Sequence, residues 1–87
     1  MHRVVAALLV VAVLSACRPG EQAEECKKMI DCANALVPGS GDAAFGSTYG
    51  VDGTCWLTSG AASACTDACR TQLDRMASRP NAPAVCK

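Results

Sequence analysis

The 87 residues contain a single histidine, His2, and one each of tryptophan, tyrosine and phenylalanine. With no histidine in the body of the chain, a Ser-His-Asp or Cys-His nucleophile cannot be assembled there. No Cys-x2-Cys pair occurs, so the usual knuckle of a zinc site is missing. A Gly-x-x-x-x-Gly-Lys loop for phosphate is also absent, and Asp42 with Asp52 is too sparse for a calcium loop. Charge of one sign is lacking as well: eight basic residues balance eight acidic ones. That excludes the electrostatic footprint of a nucleic-acid binder or a polyanion mimic. The acids Glu21, Glu24, Glu25, Asp31, Asp42, Asp52, Asp67 and Asp74 fall on expected helix faces or in a loop, not in the paired arrangement a glycoside hydrolase needs. No enzyme is expected, with no catalytic residue, no metal and no cofactor other than a covalent lipid.

The chain also has no long apolar run. Its longest, Val4 to Leu14, is eleven residues of Val, Ala and Leu. In a helix this spans about 16 Å, roughly half a bilayer core. Such a length suits the hydrophobic region of a signal peptide, and Met1-His2-Arg3 supplies the positive end that stays in the cytoplasm. An ordinary secretory cleavage after Ala16 calls for a small residue at position 14, which is Leu. Leu14-Ser15-Ala16-Cys17 fits a lipobox better.

Residues 1–17 resemble the signal of bacterial lipoproteins, in which Leu-Ser-Ala-Cys is a common recognition motif. The resemblance implies cleavage before Cys17 and a diacylglyceryl thioether on its sulfur, so Cys17 would join no disulfide. Its free amine would often be acylated too, and two or three acyl chains give stable anchoring. It further implies a bacterial cell-envelope protein with its domain on the non-cytoplasmic side. Arg18 stands where an Asp can favour inner-membrane retention, which favours the outer membrane. The expected organisation is a signal peptide at 1–16, a lipidated tether at 17–25 and a domain at 26–87.

A domain this small usually gains only about 3–5 kcal/mol from its core and needs staples. Cys26, Cys32, Cys55, Cys65, Cys69 and Cys86 are an even set behind an export signal, the pattern of three disulfides. Cys65-x3-Cys69 lacks the Cys-x2-Cys spacing of a redox motif. Apolar or small residues at Cys26, Met29, Ile30, Ala33, Leu36 and Val37 form a helical stripe over 22–37, stopped by Pro38-Gly39. Glu24 and Lys28 stand at i,i+4 in the favourable order. A second helix is expected over about 60–77, with Cys65, Ala68, Cys69, Leu73 and Met76 on one face, ending before Pro80. Asp67 early and Arg70, Arg75 and Arg79 late suit its dipole. Between them lies a Gly/Ser-rich loop, 38–58, with Asp52-Gly53 as a tight turn.

The expected fold is therefore small, all-α and disulfide-rich: a two-helix antiparallel hairpin with a long Gly-rich loop. Six cysteines admit 15 pairings. The opposed helix directions favour Cys26–Cys69 with Cys32–Cys65, leaving Cys55–Cys86 to hold the loop and the tail. The body, with Tyr49-Gly50-x-x-Gly53-x-Cys55-Trp56 in its loop, is similar to small cysteine-rich bacterial lipoproteins, a resemblance that brings no activity. Expected partners are membrane lipid through the anchor and an envelope or extracellular protein, not nucleic acid. Tyr49 and Trp56 are the candidate contact residues for such a protein, against a core role over the disulfides. Two further readings stand beside an anchored structural or partner-binding module. One is a small effector or inhibitor acting through the 38–58 loop, the other a thiol-disulfide protein using Cys65 and Cys69.

Overall fold

The computed structural model describes residues 20–87, so the signal segment, the lipobox and Cys17 lie outside the described residues. Within that range the chain forms three α-helices: α1 (Glu24–Leu36), α2 (Ser40–Tyr49) and α3 (Ser59–Ala77). Single 3-10 turns follow at Thr54–Trp56 and Ala84–Cys86. No strand occurs among the described residues. None of the described helices is long and apolar enough to cross a membrane.

Helix α1 is the central element. It packs on both other helices and on the C-terminal turn. Its buried stripe is Cys26, Met29, Ile30, Cys32 and Ala33. Glu24 and Glu25 occupy its first turn, where carboxylates favour the positive end of the helix dipole. It stops at Leu36 because the residue before Pro38 avoids helical angles, and Val37 is indeed extended at φ −136°, ψ 109°. Gly39 then takes a left-handed φ of 82°, cheap for glycine alone, and turns the chain back.

Residues 38–58 are not a loop. Half of that stretch is helix α2, which the sequence pattern conceals because its side chains carry no apolar stripe. Tertiary contacts hold it instead. The Asn34 carboxamide oxygen accepts from the Asp42 main-chain N–H at 3.1 Å and serves as a cap from a neighbouring helix. The Ser40 hydroxyl donates to the Ala33 carbonyl at 3.0 Å, a second donor on an oxygen that already accepts from the Val37 N–H. Gly41 is buried and lies so close to α1 that a Cβ there would collide with the Ile30 carbonyl. At the far end, Gln22 Nε2 donates to the Tyr49 carbonyl at 2.9 Å. The start of α2 thus meets residues 30–34 and its end meets residue 22, so α1 and α2 are antiparallel.

That extra helix reverses the chain once more, and α3 runs in the same direction as α1. Cys69 is bonded to Cys26, and seven residues further on Met76 Sδ lies 3.9 Å from Cys32 Sγ. The expected antiparallel hairpin of two helices is therefore replaced by an up-down-up arrangement of three. Thr58 starts α3 with a side-chain cap: its Oγ1 accepts from Ala61 N–H at 3.1 Å. Arg75 stands in the last turn, the end where cations are favoured. Lys28 does not pair with Glu24; its ammonium donates to the Lys87 carbonyl at 2.8 Å.

The core consists of Met29, Ile30, Ala33, Trp56, Leu73 and Met76 around buried cystine sulfur. No buried side chain among the described residues is polar or charged. With so little apolar volume, the disulfides are the main cross-braces of the fold.

Candidate functional site

Three disulfides join Cys26 to Cys69, Cys32 to Cys86 and Cys55 to Cys65, with Cα–Cα distances of 4.9, 4.8 and 5.9 Å. The first is the pairing expected from the sequence. The expected Cys32–Cys65 and Cys55–Cys86 bridges are corrected by the other two, and helix direction is the reason. With Cys26 opposite Cys69, Cys32 lies about 9 Å further along α1 while Cys65 lies about 6 Å back along α3. In parallel helices those displacements add, leaving the two sulfurs out of reach. Cys32 instead meets the tail as it folds back at Ala84–Cys86. Cys65, in the second turn of α3, closes on the short turn that carries Cys55.

Cys65 and Cys69 are thus bonded to different partners and form no dithiol pair. Cys26, Cys32, Cys55, Cys69 and Cys86 are at most 2% exposed. Cys65 is half-buried, so the Cys55–Cys65 bridge is the most accessible of the three.

Trp56, expected as a contact residue or as core, is core: it is 4% exposed. Its indole N–H donates to the Gly50 carbonyl at 2.7 Å, so the polar handle is satisfied internally and the ring belongs to the buried cluster that holds the cysteines. Tyr49 is half-buried and meets Phe45 edge-on, with centroids 6.0 Å apart and planes at 72°. Trp56 therefore offers no free face of the sort that anchors a protein interface, and Tyr49 is only partly exposed. The exposed large apolar side chains of this region are aliphatic and close to these rings in sequence. Val51 is 70% exposed and Leu57 75%. Two isolated aliphatic residues in a Gly-rich stretch carry no periodic signal that would mark them as exposed.

An open groove of about 590 Å³ runs between α1 and the C-terminal turn. Its walls hold three carboxylates (Glu24, Glu25, Asp31), three ammonium groups (Lys27, Lys28, Lys87) and the apolar Leu73 and Val85. Mixed charges at this exposure select for no single sign of ligand. Beside the groove, Arg70 bridges the helices, donating to Glu25 at 2.7 Å and to Asp67 at 3.2 Å. The Glu25 carboxyl is held below the ordinary glutamate value, first by its own main-chain N–H and then by Arg70. Arg70 is raised further by the same contact with Glu25. This pair joins α1 to α3 next to the Cys26–Cys69 bridge, a bracing role rather than a chemical one.

Among the described residues no cluster of three or more His, Cys, Asp or Glu could hold a metal. No buried side-chain nitrogen or oxygen there lacks a hydrogen-bond partner. No protein-family model matches the chain, and neither a curated protein nor a solved structure resembles it.

Proposed function

We propose that this chain is a lipid-anchored protein of the bacterial cell envelope, attached through Cys17, whose disulfide-braced domain has a structural or partner-binding role and no catalytic activity. One observation carries the reading beyond the lipobox itself. The six cysteines from 26 to 86 pair with one another. Of seven cysteines in the sequence, Cys17 alone then has no partner within the chain. An odd cysteine at the end of a signal-like segment suits a thioether anchor.

The domain lies on the non-cytoplasmic side in this reading, where disulfides persist, and Arg18 favours the outer membrane. An effector or inhibitor acting through 38–58 is less favoured, because that stretch is half helix and its tryptophan is turned inward. The redox reading through Cys65 and Cys69 is disfavoured by their separate partners.

The test is the intact mass of protein extracted from native membranes, alkylated before and after reduction. The expected mass is that of residues 17–87 plus acyl groups, with six cysteines alkylated only after reduction. An unacylated chain, or a thiol alkylated before reduction, would overturn the anchor or the bracing respectively.

A further inference from the structure

The two most exposed large apolar side chains among the described residues belong to one short segment, ahead of Val37 at 61%. Val51 and Leu57, 70% and 75% exposed, lie at the two ends of the short turn that follows α2. That turn is braced from within. Trp56 donates to the Gly50 carbonyl, Gly53 N–H to the same oxygen at 2.9 Å, and Cys55 is bonded to Cys65. Val51 and Leu57 are therefore displayed by a rigid support.

The same turn sits where the tether enters the domain. Gln22, hydrogen-bonded to the Tyr49 carbonyl, is pinned beside the peptide that leads into Gly50 and Val51. Cys17 precedes Gln22 by five residues, a reach of at most about 18 Å when fully extended. A protein domain is about 30 Å across, too thick to be interposed between this turn and a surface held so near. Resting on the reading of Cys17 as the anchor, we propose that the Val51–Leu57 turn is the membrane-facing end of the domain and seats both side chains in the lipid interface. The protein then touches the bilayer twice, through its acyl chains and through this turn. Glu21 and Asp52, both exposed, flank the site. The contact is accordingly apolar and requires neither anionic lipid nor low salt.

The sole tryptophan, Trp56, adjoins Leu57 and reports on the contact. Mature acylated protein, residues 17–87 with its acylation checked by mass, is placed in protein-free phosphatidylcholine vesicles carrying lipids brominated near the headgroup end of the acyl chain. An interfacial segment sits roughly 5–10 Å into the headgroup boundary, within quenching range of the adjoining ring, and about a twofold loss of Trp56 emission is expected. The acylated Val51→Asp/Leu57→Asp variant should lose that quenching while remaining on the vesicles with an unchanged thermal melt. An acylated protein that is not quenched overturns the proposal and leaves the anchor standing. Quenching that persists in the double variant overturns the role of the two side chains. Amide protection of 50–57 in native membranes but not in protein-free vesicles would assign the turn to a protein partner instead. A chain without lipid on Cys17 removes the anchor and this inference together.

Discussion

Removing the disulfides one at a time should produce unequal losses, and the inequality follows from loop length. In the chain-entropy treatment a bridge stabilises by restricting the unfolded chain, more for longer loops. The Cys32–Cys86 and Cys26–Cys69 bridges span 54 and 43 residues, and Cys55–Cys65 spans only 10. The corresponding contributions are about 4.2, 4.0 and 2.7 kcal/mol at 25 °C. Domains of this size hold roughly 3–10 kcal/mol in all. Cys32→Ala/Cys86→Ala should therefore be largely unfolded at 37 °C, and Cys26→Ala/Cys69→Ala nearly so. Cys55→Ala/Cys65→Ala should keep a cooperative transition with a lowered midpoint. Urea titration followed by circular dichroism reads all three. Peptide mapping of the unreduced protein fixes the connectivity independently. Trypsin and chymotrypsin, with cleavage before Asp67, place each of the six cysteines on its own peptide. The reasoning fails if Cys32 is recovered linked to the Cys65 peptide, or if losing the short bridge costs as much as losing either long one.

Four smaller substitutions test the packing and the charges. Gly41→Ala should lower stability by about 1–3 kcal/mol, because its Cβ meets the Ile30 carbonyl. Gly46→Ala, with open space around it in the same helix, should raise stability by up to about 1 kcal/mol; paired thermal melts give the opposite signs directly. Trp56→Phe keeps much of the ring but removes the indole donor from the Gly50 carbonyl, which retains Gly53 N–H, a loss of about 0.5–1.5 kcal/mol readable in the same melts. The lowered Glu25 carboxyl makes a contribution that is complete above its unfolded value near 4.5 and is lost as pH falls through the folded value. Glu25→Gln should therefore flatten the acid limb of a stability–pH curve measured in urea at low salt. An unchanged limb would show that neither the main-chain hydrogen bond of the carboxylate nor its contact with Arg70 has energetic weight.

Some of this fold is legible in the residues and some is not, for physical reasons. Helices α1 and α3 announce themselves because each buries one face, and Met29, Ile30, Leu73 and Met76 recur at helical spacing. The stop at Pro38-Gly39 also follows from local pattern, whereas Cys26 pairs with Cys69 even though the opposed helix directions that favour it in the sequence are absent from the fold. Helix α2 is hidden because Ser40 to Tyr49 has two glycines, two serines and a threonine, and its only apolar pair of any size is Phe45 with Tyr49 at i,i+4. Its stability comes from Asn34, Ser40, Gly41 and Gln22, each of which acts across the gap between elements. Missing that one helix changes the parity of chain reversals, and with it the direction of α3. The two remaining disulfide pairings go wrong for the same reason. The inward turn of Trp56 likewise depends on a carbonyl six residues away, which no periodicity encodes.

The bridges Cys26–Cys69 and Cys32–Cys86 overlap along the chain, each beginning before the other ends. Any single peptide bond cut between residues 26 and 86 is spanned by at least one of them, and a cut between 32 and 69 by both. A protease that nicks the domain once therefore liberates no fragment. The severed ends stay covalently joined, close enough to keep their packing, and the domain remains attached to whatever holds residue 17. Shedding the part beyond a cut would take that cleavage together with reduction of every bridge spanning it, whereas one cleavage in the few residues ahead of Cys26 frees the whole domain. That short stretch is the one place where a single enzymatic event separates domain from anchor.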